Sequence, residues 1–462
     1  MVNEKQRTSI FINILISCIA SSMLATALTT ALPSMVVDFH ISVTTGQWLT
    51  SGYSLAMGIT MPLTAFLITK FPTRKLYLTA ISLFIAGLAL CVVAPNFVVL
   101  MIGRVLQACG NGILTSMAQV ILLTMYPLEK RGTIMGWYGL SIGAAPVIAP
   151  TIAGILVDTS GWRMIFIAAI VIMAISLVFA FMVFKDVLPT SKKHFDTLSF
   201  VISGIAYAGI TLGIGNIGTY KLVSLPVLCP LILGILGMFI FAKRQFKRPE
   251  PFLDLHVLQN KVFVISLIGS MLLYFVMMGS SIILPLFIQT IKGFSATTSG
   301  LVTLPGSLAM TILSPFAGKI YDRFGMRRLF IAGALVLLIS NVGMIFITLK
   351  TSLILIAALN VLRSLAIGCL MMPLVTWGMS GIDVQMTAHG TALLTSLRTI
   401  AGAVGSAIFV SIMSTVAKNS AATLGAQAPM HGVNMTFLFM SLVSVILMLV
   451  AIFAKTNQRS AE

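Results

Sequence analysis

PLTAFLITKFPTRKL at 62–76 is answered by PFAGKIYDRFGMRRL at 315–329, a constant offset of 253 residues (315 minus 62). Pro62 matches Pro315, Lys70 matches Arg323, Phe71 matches Phe324 and Arg74 matches Arg327. In each copy an apolar run ends, a basic turn follows, and the next apolar run begins within a few residues. Parallel repeats of this kind mark membrane transporters built from two homologous halves, with the substrate site between them.

Composition agrees with a membrane chain. Of 462 residues, 58% are hydrophobic and 9% charged, and mean hydropathy is +1.06. Soluble domains carry about 25% charged residues, so a soluble enzyme, a disordered protein and a disulfide scaffold are all excluded. A spanning helix needs about 20 mostly apolar residues. On that basis the sequence predicts spans at 10–33, 47–69, 76–94, 97–122, 133–156, 162–184, 197–216 and 223–242. It predicts six more at 262–290, 297–318, 329–349, 352–377, 389–416 and 433–454, fourteen in all. The first apolar stretch lacks a small-residue cleavage site and is long enough to stay as a span.

There are 29 Lys+Arg against 11 Asp+Glu, a formal charge of +18. With the N-terminus inside, most basic residues fall on cytoplasmic segments, and only Arg163, Lys221, Lys292, Lys350 and Lys418 fall outside. This bias predicts an even span count with both termini cytoplasmic, and it accounts for the excess charge without nucleic acid. Trp48, Trp162 and Trp377 stand at span ends, where indole rings favour the interface. The five cysteines lie in apolar stretches and read as buried thiols. The basic segment 243–261 reads as an interfacial linker held to anionic headgroups and membrane lipids.

The turn has a physical task. A carboxylate at one helix end can accept hydrogen bonds from arginines and from a neighbouring helix N-terminus, forming a latch. The second copy has the parts: Gly318, Asp322, Arg323, Gly325, Arg327 and Arg328. The first copy keeps Lys70 and Arg74 but has Thr69 and Pro72 where Asp322 and Gly325 stand, so the latch carboxylate belongs to the second half alone.

At this point the chain resembles the major facilitator superfamily, and within it the fourteen-helix drug:proton antiporters. The 318–328 turn looks like the superfamily's loop motif. GRVLQACGNG (103–112) looks like its fourth-helix motif, and AAPVIAPTIAG (144–154) like its fifth-helix antiporter motif. SGWRMIF (160–166), PFLDLHVLQNKVF (251–263) and GFSATTSGLVTLPG (293–306) look like stretches typical of the fourteen-helix branch. The resemblance implies an all-α membrane protein: a six-helix bundle over 1–184, a linker and inserted two-helix hairpin over 185–242, an amphipathic cytoplasmic linker over 243–261, and a second bundle over 262–462. It implies export of small amphiphilic substrates from the bacterial cytoplasmic membrane by a monomer, powered by the proton gradient without a cofactor. It also implies that Arg104 takes part in proton relay or conformational coupling, and that Gly143, Pro146, Pro150 and Gly154 let the fifth helix pack and bend.

Ionisable residues within spans are expensive and mark function by default. Three arginines qualify: Arg104, followed at helical spacing by Gln107 and Asn111; Arg363, three residues after Asn360; and Arg398, before the small-residue run AGAVGSA at 401–407. No acid lies in the middle of a span. The family pattern places an acid nine residues before Pro33, where this chain has Leu24. The central cavity is therefore expected to be neutral to positive, suiting anionic, zwitterionic or neutral amphiphiles. Any proton carrier must be unusual: Asp38 or Asp158 near the outer face, Asp322 in the latch, or His389, which otherwise reads as an interfacial cap. A membrane enzyme is disfavoured, since neither HExxH, paired carboxylates nor a Walker-type loop occurs. No metal-ligand cluster is legible.

Overall fold

In hydrocarbon every backbone N–H and C=O must be satisfied within its own segment, so long apolar runs fold as unbroken helices. The computed structural model describes residues 4–41, 46, 48–188, 190, 196–216, 223–248, 251, 253–294 and 296–454. Its first helices are α1 (Glu4–Asp38), α2 (Trp48–Lys70), α3 (Thr73–Val92), α4 (Phe97–Met125), α5 (Leu128–Ser160) and α6 (Arg163–Val183). A hairpin of α7 (Thr197–Gly215) and α8 (Leu225–Lys247) follows. Then come α9 (Lys261–Leu286), α10 (Ala296–Phe324), α11 (Met326–Ile345), α12 (Leu353–Ser380), α13 (Thr387–Leu424) and α14 (Ala428–Phe453). Among the described residues, eleven stretches are long and apolar enough to cross a membrane.

Several helices overrun the spans that hydropathy predicts. α1 begins at Glu4 and α13 continues to Leu424. Hydropathy locates only the apolar part of a helix, whereas backbone hydrogen bonding carries on through polar end turns until a cap stops it. Some starts are capped by side chains. Asn96 accepts from Val99 N–H at 3.0 Å, Asn260 from Val262 and Phe263, and Ser352 from Ile354.

The sequence repeat reappears as a repeat of packing. α1 packs on α5 and α6, α2 on α4, and α3 on α4 and α6. In the second bundle α9 packs on α13 and α14, α10 on α12, and α11 on α12 and α14. Across the halves, α5 packs on α10 and α2 packs on α13, and these two contacts also exchange under the repeat. They are not equal, for the α5–α10 contact is much the larger. α7 and α8 pack chiefly on each other, and α7 also lies against α2 and α13.

The duplicated turns differ in backbone. Gly325 has φ 76°, a left-handed conformation that glycine adopts freely. Pro72, in the equivalent place, has φ −54° and cannot adopt it. Burial refines two expectations from composition. Trp162 and Trp377 stand near helix ends, as expected, but are buried against protein. Of the five free cysteines only Cys18 and Cys91 are buried; Cys229 is exposed on the outer face of the hairpin.

Candidate functional site

The seam between α5 and α10 is built on small residues. A methyl on Gly136 would lie 2.6 Å from the Ser314 carbonyl, and one on Gly139 2.6 Å from Ser314 Oγ. A methyl on Gly132 would collide with Asp322, and one on Gly318 with the Gly132 carbonyl. Such close backbone approach is what small residues permit between membrane helices. At this end the Asp322 carboxylate closes the seam. It accepts from Gly132 N–H at 3.0 Å, from Thr133 N–H at 2.9 Å and from the Thr133 hydroxyl at 2.8 Å. All three donors lie in the opening turns of α5, where the helix dipole favours an anion.

The arginine half of the expected latch is corrected. Among the described residues no arginine pairs with Asp322. Arg323 lies over the Phe324 ring, and Arg131 donates to the Tyr126 carbonyl. Arg327 is exposed. Two amides and one hydroxyl of α5 already engage both oxygens of the carboxylate. The first turn works within its own bundle. Arg74 N–H donates to Asp186 at 2.9 Å, its guanidinium donates to the Phe181 carbonyl at 2.8 Å, and Lys70 lies over Phe66 and Phe71.

A polar chain runs along α4. Arg104 is 1% exposed and lies with its guanidinium 4.0 Å from the Tyr53 ring centre. Its Nε donates to the Leu49 carbonyl at 3.2 Å and its Nη1 to Gln107 Oε1 at 2.6 Å. Asn111 donates to the Tyr53 hydroxyl at 2.7 Å, and Thr115 donates to Asn111 Oδ1 at 3.3 Å. Tyr138 of α5 donates to the Thr115 carbonyl at 3.4 Å, one residue before Gly139 of the seam. Spacings of three and four place these α4 residues on one face. The chain thus joins α2, α4 and α5.

In the second bundle Arg363 donates to Asn360 Oδ1 at 2.6 Å and lies over the Phe437 ring. Arg398 is 4% exposed and lies 4.9 Å from the Tyr274 ring centre. Its Nε and Nη1, like Nη1 of Arg363, have no hydrogen-bond partner in the protein. No described carboxylate pairs with any of these three arginines.

A model of the Major Facilitator Superfamily matches residues 10–406. The chain belongs to this superfamily. It is 36% identical to an uncharacterized MFS-type transporter, YcnB, of Bacillus subtilis, over 95% of this chain and 93% of that protein. It is 31% identical to the lincomycin resistance protein LmrB of Bacillus subtilis, over 96% of this chain and 95% of LmrB. The crystal structure of the human organic anion transporter MFSD10 matches with a TM-score of 0.65 at 15% identity, over 96% of this chain and all of that one, which shows a shared fold. The protein is therefore a multi-pass membrane transporter rather than an enzyme.

Asp38 sits at the end of α1, where Trp162 Nε1 and Arg163 Nη1 each donate to it at 3.0 Å. The Trp162 hydrogen bond first, then Arg163, hold its carboxyl below the usual range. His389 is buried, not an interfacial cap, because the linker over 253–260 folds over the start of α13. Its Nδ1 accepts from Asp254 N–H at 3.1 Å. Gly143, Pro146, Pro150, Gly154 and Asp158 lie on α5, which runs unbroken through them; their side chains lie outside the described residues. Among the described residues no cluster of His, Cys, Asp or Glu is arranged to hold a metal. Tyr53, Thr133 and Tyr138 escape sequence reading. Each sits on a different helix from the group it serves, so no spacing along the chain announces it.

Proposed function

We propose that this MFS transporter exports amphiphilic compounds, antibiotics among them, by alternating access coupled to the proton gradient. Fourteen spans in the bacterial cytoplasmic membrane, with both termini cytoplasmic, complete the reading. The observation that carries it is the Asp322 seam. A glycine-lined contact between the two halves is locked at one end by one carboxylate on three donors. Hydrogen bonds to a charged group contribute about 1.5–3 kcal/mol each, so releasing them is large enough to bias two states. Protonation would strip Asp322 of acceptor capacity on one oxygen, which links proton binding to opening. The name of LmrB, a lincomycin resistance protein, supports drug export. Buried arginines without carboxylate partners support neutral to anionic substrates.

Purified protein in liposomes with an imposed pH gradient provides the test. Uptake of an anionic and of a cationic amphiphilic dye is followed together with lumenal pH. Gradient-driven uptake favouring the anionic or a neutral dye is expected, with Asp322→Asn slowing it about 10-fold through loss of charged hydrogen bonds. Uptake indifferent to the gradient removes proton coupling. A second reading, export or flipping of one specific anionic or lipid-like amphiphile without standard coupling, is favoured by Leu24. This residue is 2% exposed in the apolar core where the resemblance places an acid.

A further inference from the structure

A groove of about 560 Å³ opens between α7 and α8 at their basic ends. On α8 two stripes lead into it at steps of four: Phe239, Lys243, Lys247 and Ile240, Arg244, Arg248. Each stripe changes from apolar to cationic at the same turn. Leu198 and Ile202 of α7 face the apolar part, again four residues apart. Leu198, Phe239 and Ile240 are each more than half exposed, unusual for such side chains unless they meet an apolar phase.

The cationic end is not neutralised from within. Asp196, its side chain 5% exposed, takes Arg244 at 3.1 Å and Arg248 at 2.7 Å. Ser199 donates to it as well, and Arg244 Nε donates back to Ser199 Oγ at 2.9 Å. These contacts hold the guanidinium groups in place at the groove wall. Lys243 and Lys247 make no hydrogen bond or ion pair among the described residues. Among the described residues, four cations against one carboxylate (4 − 1) leave the groove at +3.

We propose that this groove binds one anionic phospholipid, its phosphodiester on Lys243 and Lys247 and an acyl chain along Leu198, Ile202, Phe239 and Ile240. The charge bias along the chain puts this end at the cytoplasmic leaflet, which is the anionic one. A zwitterionic lipid brings a quaternary cation that the +3 groove repels. A free phosphate has no use for the apolar stripe. The site lies outside the bundles' polar chain, so its fate and that of the transport reading are separable.

Native mass spectrometry on the full chain in detergent tests it. Phosphatidylglycerol, phosphatidylcholine with the same acyl chains, glycerophosphoglycerol without chains, and inorganic phosphate are titrated separately. Phosphatidylglycerol is expected to bind about 10-fold tighter than phosphatidylcholine. The double variant Lys243→Gln/Lys247→Gln, at exposed and unpaired positions, is expected to lose about 10-fold for phosphatidylglycerol and clearly less for phosphatidylcholine, whose choline already offsets its phosphodiester. Phe239→Asn is expected to weaken both lipids. Unchanged phosphatidylglycerol binding in the double variant overturns the proposal, as does equal binding of the two lipids. Equally tight binding of the chain-free headgroup or phosphate overturns it too, leaving a bare anion site. Retained melting temperature verifies that the variants fold.

Discussion

Arg104 is held by a backbone carbonyl, a carboxamide and an aromatic face, all from α2 and α4. A planar fork of donors suits that arrangement, and a lysine ammonium does not reproduce it. Arg104→Gln is expected to cost about 1–3 kcal/mol in stability, because the Leu49 carbonyl loses its donor in a dry site. Dye uptake is expected to fall by more; uptake unchanged beside a lowered melting temperature would make Arg104 purely structural. Asp196 belongs to the same scale. Burial works against its charge, but hydrogen bonds from Ser199 and Arg244 outweigh that, and its carboxyl lies below the usual range. A depressed carboxyl stabilises the fold above the unfolded value, about 3.9, and that contribution is lost as pH falls through the folded one. Melting temperature between pH 6 and 3 is therefore expected to fall less steeply in Asp196→Asn than in the parent. At this scale the sequence singled out the arginines, because a charge in an apolar run stands out. It could not name Tyr53 or the Leu49 carbonyl, which arrive from another helix.

The α5–α10 seam is an element-scale device. Its glycines remove side chains where Ser314 and Gly318 approach, and Asp322 then reaches the amides of Gly132 and Thr133. Gly136→Val forces the helices apart at Ser314. The fold is expected to persist, since two large apolar clusters remain, one of them continuous across both halves, while uptake drops at least about 10-fold. Hydrogen exchange over 130–136 reads the same event, and faster exchange of the Gly132 and Thr133 amides is expected when Asp322 is withdrawn. Exchange at the parental rate would show that the seam tolerates the methyls. Gly132 and Gly136 stand four residues apart in the sequence, the spacing that lets membrane helices approach closely. The partner helix was not legible, because a small-residue face says that something approaches closely but not what.

At the scale of the whole molecule, the buried cations and the edge position of the acids set the character of the interior. Arg398 stands over Tyr274 with two of its donors unpaired. Arg398→Met is expected to lower the anionic-to-cationic dye uptake ratio about 10-fold, the equivalent of about 1.4 kcal/mol. An unaltered ratio would place Arg398 outside the substrate path. The sequence by itself determined that the chain is helical, membrane-spanning and duplicated, since hydropathy, charge bias and repeat spacing are local quantities that sum along the chain. It also located the asymmetry of the turns, visible as Thr69 and Pro72 against Asp322 and Gly325. Only the tertiary structure decided what the turns touch. The second reaches across to α5, the first stays within its bundle, and the hairpin brings a basic stripe against an apolar one. Those outcomes depend on which helices become neighbours, and helix pairing is set by surfaces hundreds of residues apart in the chain.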